Sequence, residues 1–450
     1  MTTPQTFANG TRRAFRLAAG AGLLLVMSAC QSLLDVNNPN NIAETALDNP
    51  SAMGPEASGL LAATTRMLGA TTIVYADATD EMQWIGSRDA WGELDRGAIG
   101  DYVNEFADGA FPYAGEARYL ADATIARLEG FVSSGKVTSK ADLLRSYVYG
   151  AVVYSSIADM YDDFAFSNKT VAAAPVGRAN MGTLYDKAVG YLDKALAIAT
   201  SNADKYNILA LRARIKHGKA VWQKITPTSS SAPANPLVND AGAVSDATAA
   251  IALASADASF DLVNNQEATA GINVWYEVNG RNESSPGSAY AVDPLSTTNK
   301  YVAALKDPIS GTADPRIQAR LTAFKGFGTL AGTLWITNTR ELRLILAEAA
   351  LAGGNTAEFT NQINQVRALD GKPAFAGQIG NTQMLAYERQ AQLWLMRRRL
   401  MDMYRFGQKD PKWVADPNYA NSFTTVGLLF PISNIERLAN PCITDAAKCK

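Results

Sequence analysis

The apolar residues of this chain recur at helical spacing, in segments that come in pairs. From Thr183 to Thr200, Leu184, Ala188, Leu192, Ala195 and Ala199 fall on one face. Thr183 precedes them as an N-cap, with Asp186 in the first turn. Lys205 to Trp222 follows after a short turn and has the same period. Leu143 to Tyr154 places apolar and aromatic residues at three- and four-residue steps. Small residues (Ala188, Ala195, Ala210, Ala213) allow paired helices to approach closely. A helix with one apolar stripe must bury it on a neighbour, so the pattern predicts an all-α fold.

In chain order, helices are predicted over Pro55–Leu68, Gly115–Phe131, Asp142–Phe164, Thr183–Thr200, Lys205–Trp222, Val244–Ala258 and Arg340–Ala352. Gly353-Gly354 stops the last of these, and Asn355 caps its successor with Glu358 at the capping-box position. A final long helix runs from about Met384 to Arg405. Four pairs result: Gly115 to Phe164, Thr183 to Trp222, Val244 with Arg340, and Asn355 to Tyr404. With spacings in the thirties they resemble tetratricopeptide units.

Two stretches break the pattern. Ile73 to Gly100 contains Trp84, Arg88 and Trp91 among acidic residues and glycines. Asn264 to Thr339, about 70 residues, contains Trp275, Tyr276, Asn279, Arg281, Asn282, Tyr290, Tyr301 and Trp335. Irregular segments of that length inside a compact body usually bind something. A sugar offers C–H faces that stack on aromatic rings and a rim of hydroxyls that needs directional polar partners. Trp84, Trp91, Trp275 and Tyr276 are therefore candidate platforms, and Arg88, Asn279 and Asn282 candidate hydroxyl readers. The competing reading is that the tryptophans fill a core.

Composition narrows the partners. With 41 basic and 43 acidic side chains and a net charge of −2, the chain has no basic excess for nucleic acid. With Cys30 read below as a lipid-attachment residue, one histidine, His217, and the two remaining cysteines, Cys442 and Cys449, cannot assemble a zinc-type cluster, so no metal or other cofactor is expected, and His217 reads as structural. Asp77, Asp80 and Glu81 carry enough oxygens for calcium, but a solvated acidic turn is the preferred reading.

The N-terminus reads as an export signal. Arg12-Arg13 precede an apolar run from Leu17 to Met27, then Ser28-Ala29-Cys30. That run is too short to span a ~30 Å hydrocarbon core comfortably. The segment resembles a bacterial lipobox, which implies cleavage before Cys30 and attachment of fatty acyl chains such as palmitate. Thr11 to Phe15 also resembles a twin-arginine motif. The expected organisation is a signal peptide over 1–29, an Asn/Pro-rich tether over 30–49 and a folded body over 50–450. In an exported chain Cys442 and Cys449 are positioned for a small terminal disulfide.

Several segments together resemble the SusD/RagB family of nutrient-uptake lipoproteins. They are Leu34-Asp35-Val36-Asn37-Asn38-Pro39, Leu342 to Leu351 with its Ala-Glu-Ala, and Ile363-Asn364-Gln365-Val366-Arg367-Ala368. Glu388-Arg389 with Arg399, Asp402, Arg405, Phe406 and Gly407, then Leu429-Phe430-Pro431-Ile432 and Glu436 to Pro441, complete the set. Gln392 stands where an acidic residue is common in the family and Arg397 where glycine is common; both are placed on structural helices. The resemblance implies an all-α SusD-like fold of four tetratricopeptide-like pairs with long irregular loop insertions. It further implies a lipid-anchored protein on the bacterial outer membrane, facing the cell surface over a SusC-like TonB-dependent transporter. Such a protein binds oligosaccharides or other oligomeric nutrients and passes them inward without bond-breaking chemistry.

Two other function classes compete. A peptide-binding or purely protein-binding helical scaffold would use the concave face of the repeats. A glycosidase would need two carboxylates flanking one bond, about 5–9 Å apart. The adjacent pairs Asp80-Glu81 and Asp162-Asp163 do not suggest that arrangement, and no enzyme is expected.

Overall fold

A computed structural model of the chain describes residues 44–168, 171–225, 231–264, 273–296, 298–326, 330–413 and 425–449. Cys30, the signal segment and most of the tether lie outside these residues. The chain divides into a short unit, Met1–Ala52, and a main body, Met53–Lys450. The described part of the first holds two 3-10 turns, Glu44–Asp48 and Pro50–Ala52. No helix among the described residues is long and apolar enough to cross a membrane.

Helices dominate the main body, as the periodicity predicts. Helix α1 spans Met53–Asp77 and is followed by the short strand β1, Met82–Trp84, and helix α2, Asp89–Asp95. Then come α3 (Glu105–Ser133), α4 (Ala141–Met160), α5 (Gly182–Ile198), α6 (Asn202–Ile225) and α7 (Ala241–Ile251). Each of α3 to α7 packs on the helix before it, except that α3 packs mainly on α1. Small residues set the spacing. A Cβ added at Gly150 in α4 would lie 2.8 Å from Ile125 of α3 and 3.1 Å from Tyr191 of α5. One at Gly182 would lie 2.9 Å from the Trp222 ring of α6.

The second half interleaves strands. β2 (Ser259–Val263) pairs antiparallel with β4 (Thr333–Asn338), and β3 (Ser284–Pro286) pairs antiparallel with β1. Helix α8 covers Pro315–Gly326, and α9 (Thr339–Ala352) lies against both α7 and α10 (Thr356–Leu369). α11 (Asn381–Gln392) also reaches α9, so α10 has α9 as its main neighbour where pairing with the last long helix was expected. α12 (Arg399–Arg405) and α13 (Asn434–Ala439) follow. Cys442 and Cys449 form a disulfide near the C-terminus.

Several helix ends differ from the sequence reading. α5 begins at Gly182 rather than after Thr183, because the 3-10 turn Arg178–Asn180 feeds directly into it; the Thr183 hydroxyl donates to Asn180 O at 2.7 Å. α7 is capped by Asp240, which accepts from Ala243 N at 2.7 Å, and stops before Ala258 because β2 must meet β4. Asn355 caps α10 as expected, accepting from Glu358 N at 3.0 Å. α8 lies in a stretch expected to be irregular; Asp314 caps it, accepting from Ile317 N at 3.0 Å, with Pro315 at the first helical position.

The helix expected from Met384 to Arg405 is interrupted at Leu393–Arg398. Leu395 (φ 57°) and Arg397 (φ 58°) adopt left-handed backbone. The interruption is held by Glu81: Leu395 N donates to Glu81 Oε1 at 2.6 Å and Trp394 Nε1 to Glu81 O at 3.2 Å. Arg397 is thus not on a helix. A left-handed position favours glycine, so arginine sits here at a conformational cost.

Arginines of this segment and of the neighbouring helices form a buried charge belt. Arg398 pairs with Asp159 at 2.7 Å, and Arg399 grips Asp80 at 2.6 and 2.7 Å. Arg389 meets Asp402 at 2.8 Å, while Arg405 and His217 share Glu348. Arg214 joins Glu341 at 2.6 Å, and Arg367 joins Asp307 and Glu388, both at 2.8 Å. Such pairs barely repay their desolvation, but removing one member strands the other at a cost of about 3–5 kcal/mol. They therefore fix which helices meet. Asp77, Asp80 and Glu81 belong to this interior: Asp77 is 0% and Glu81 1% exposed, so the solvated acidic turn is corrected. Among the described residues no metal-holding group of acidic, histidine and cysteine side chains occurs.

Candidate functional site

The β1–β3 ladder brings the two irregular stretches together. Met82 lies opposite Pro286, Gln83 opposite Ser285 and Trp84 opposite Ser284. The Ser284 hydroxyl donates to Asp77 Oδ2 at 2.7 Å, tying the ladder to the end of α1. Beyond the ladder, Ile85 N and Gly86 N both donate to Glu283 O, at 2.9 and 3.1 Å. The Glu283 carboxylate then accepts from Ser87 N at 2.9 Å, Arg88 N at 3.0 Å and the Ser87 hydroxyl at 3.2 Å. Gly86 is required here, since a Cβ would sit 2.7 Å from Glu283 Cα. Glu283 is the clasp of the site, and nothing in its local sequence marks it.

Trp84 is half-buried and its ring covers Gly92 of α2, where a Cβ would come within 2.8 Å of it. Arg88 precedes α2, ion-pairs with Glu105, and lies 4.7 Å over the Phe106 ring. Trp91 is corrected as a platform: it is 0% exposed and stacks on Phe106 with centroids 3.7 Å apart. Trp275 is likewise 1% exposed, beside Phe324 and Trp335. For these two the core reading applies: Trp91 of α2 packs on Phe106 of α3, and Trp275 packs against Phe324 of α8.

Tyr276 to Gly280 forms one wide, π-type helical turn. It leaves Tyr276 half-buried with the Arg281 guanidinium 5.0 Å over its ring. Beneath, Glu277 is 0% exposed. Burial pushes its carboxyl up to about 7, against the lowering effects of Arg281, Arg88 and the Trp91 indole N–H. Asn279 Oδ1 accepts from the Tyr301 hydroxyl at 2.6 Å, and Asn282 Oδ1 accepts from Lys300 Nζ at 3.0 Å. Asn282 holds a left-handed conformation (φ 57°), which asparagine tolerates better than most residues. Lys300 and Lys325 lie 5.5 and 5.3 Å from the Tyr301 ring centroid.

The structure thus gathers Trp84, Arg88, Tyr276, Asn279 and Asn282 around one clasp and withdraws Trp91 and Trp275 into the core. It adds Glu283, Arg281, Tyr301, Lys300 and Lys325, of which Arg281 and Tyr301 already stood out as part of the aromatic insertion. The site offers aromatic faces, cations and amides, which suits binding. The paired carboxylates Asp162 and Asp163 lie elsewhere and serve the fold: Asp162 ion-pairs with Arg178, and Asp163 Oδ1 accepts from Gly177 N at 2.7 Å.

No protein-family model matches the chain, and no curated protein matches it in sequence. Solved structures do match in shape. A SusD homolog from Bacteroides thetaiotaomicron superposes with a TM-score of 0.59 at 14% identity, covering 89% of this chain and 98% of its own. A SusD superfamily protein from Bacteroides fragilis gives 0.58 at 15%, covering 88% and 99%. A SusD-like carbohydrate binding protein from Bacteroides vulgatus gives 0.55 at 13%, covering 87% and 97%. The chain therefore has the mostly helical fold of SusD superfamily proteins.

Proposed function

We propose, from the SusD fold of this chain, that it is a lipid-anchored outer-membrane protein that captures oligosaccharides or similar oligomeric nutrients and delivers them to a TonB-dependent transporter. Residues 1–29 direct export, Cys30 carries the acyl chains, and the tether to Asn49 links them to the folded body. The serial helix pairs act as a tetratricopeptide-like scaffold that faces the transporter. Ligand meets the face built by the β1–β3 ladder.

The observation that carries this reading is the convergence of two sequence-distant aromatic segments on the Glu283 clasp. Half-buried rings at Trp84 and Tyr276 provide stacking surfaces, and Arg88, Asn279 and Asn282 provide hydrogen-bonding groups beside them. Likeness to a SusD-like carbohydrate binding protein supports the same ligand class. Its aromatic and amide groups suit binding without turnover, and that is the task proposed for it.

Retention on an immobilised glycan panel tests the proposal. Wild-type protein is expected to retain at least one glycan, and Trp84→Ala and Tyr276→Ala to weaken that retention by about 1–2 kcal/mol each, the scale of one aromatic contact. Unchanged retention in both variants would refute the site. Isolation of the protein from solubilised outer membrane is expected to bring a transporter barrel with it.

A further inference from the structure

We infer that the ligand carries carboxylates, with Tyr301, Lys300 and Lys325 forming a subsite for a uronate unit of an acidic oligosaccharide. The inference rests on the glycan-binding reading above and narrows it to a substrate class.

Several lysines of this protein have carboxylate partners. Lys194 meets Glu129 at 2.8 Å, Lys216 meets Asp246 at 2.7 Å, Lys219 meets Asp186 at 2.6 Å and Lys372 meets Glu388 at 2.8 Å. Lys300 differs. It is 8% exposed, yet its ammonium has only neutral partners, the Asn282 amide oxygen and the Tyr301 ring. Among the described residues no carboxylate lies within ion-pair distance of Lys300 or of Lys325, which stands on the same ring. Burial lowers the Lys300 pKa with no acidic neighbour to restore it.

A nearly buried ammonium without a counter-ion is costly to maintain. Lys300 is such a cation, the exposed Lys325 shares its aromatic ring, and the exposed Arg281 lies over Tyr276. The nearby acids do not reach the two lysines. Glu283 spends its carboxylate on Ser87 and Arg88, and Glu277 is sealed beneath the π-type turn, 3.5 Å from Arg281. An anion arriving from solvent would supply the missing charge. The surrounding groups include those that hold a pyranose: the half-buried Tyr276 ring, the Asn279 amide tied to the buried Tyr301 hydroxyl, and the exposed Asn282 amide. A sugar ring carrying a carboxylate satisfies both sets at once.

The test is calorimetric titration of the full chain with oligogalacturonate, oligoalginate and oligohyaluronate, each against its carboxyl-reduced form. At least one acidic oligomer is expected to bind about tenfold or more tightly than its reduced form, with a preference that shrinks as salt rises. Lys325→Gln, at an exposed position, and Lys300→Met are each expected to cut that preference; Lys325→Gln alone suffices if Lys300→Met fails to fold. Equal binding of acidic and reduced forms, or a preference unchanged in the variants, would overturn the inference. So would binding of an oligoglutamate peptide in place of every glycan. Binding of neutral glycans that is lost in Trp84→Ala would overturn the acidic subsite while leaving glycan binding intact. No binding of either form would overturn both.

Discussion

Replacing Glu283 with alanine should loosen the link between the two irregular stretches without touching the helical stack. The side chain accepts three hydrogen bonds, two from backbone N–H groups at 2.9 and 3.0 Å and one from the Ser87 hydroxyl at 3.2 Å. Bonds to a charged acceptor contribute about 1.5–3 kcal/mol each, but Ser87 is exposed and Arg88 half-buried, so water replaces part of the loss. Removing a carboxylate that is 7% exposed also relieves a desolvation cost. The net expectation is a loss of about 2–4 kcal/mol for Glu283→Ala. Glu283→Gln keeps a neutral acceptor and should lose about half as much. Urea unfolding of the purified chain measures both. Glycan retention should fall with Glu283→Ala, because Trp84 and Arg88 lose their fixed position relative to Tyr276. A stability change below about 0.5 kcal/mol for alanine, or equal losses for both variants, would refute the clasp.

Three other expectations follow from the interior and the N-terminus. Arg397→Gly relieves a left-handed backbone (φ 58°) while losing bonds to the Thr72 hydroxyl and Trp335 O; Arg397→Ala loses the same bonds and keeps the strain. Glycine should therefore be more stable than alanine by about 1 kcal/mol in urea unfolding, and equal stability would contradict the backbone argument. Burial pushes Glu81 from 4.5 up to about 8. With the folded pKa above the unfolded one, its stabilisation is complete below about pH 4.5 and is lost as pH rises toward about 8. Glu81→Gln should flatten the stability–pH curve in that window relative to wild type, and a parallel curve would contradict it. Cys30→Ser should leave binding by purified protein intact and release the protein from outer-membrane fractions, as immunoblotting of those fractions would record.

Much of the helical scaffold was legible because its signals are local. The stripe Leu184, Ala188, Leu192 and Ala195, and the Asn355 cap, each depend on neighbours within a few residues. The interruption at Leu393–Arg398 was not legible, since Leu, Met and Arg are good helix formers and the acceptor that breaks the helix, Glu81, lies more than 300 residues away in sequence. Asp80 and Glu81 read as a solvated turn for the same reason: Arg399 and Leu395 reach them only in the folded body. The two aromatic insertions were recognised from composition, but composition does not separate a ring that faces solvent from one under a helix. Trp91 stacks on Phe106 and Trp275 lies beside Phe324, contacts set by where α2 and α8 come to rest. Helix α8 itself was hidden within a Gly-, Ser- and Thr-rich stretch, although Asp314-Pro315 is a recognisable start.

The central claim is that one ligand face is assembled from residues 84–88 and 276–301. Hydrogen–deuterium exchange of the protein with and without a retained oligosaccharide tests it most directly. Protection on binding is expected in those two segments together, with α5, α6 and α7 unchanged. Protection confined to the helical stack, or to one of the two segments, would contradict the account.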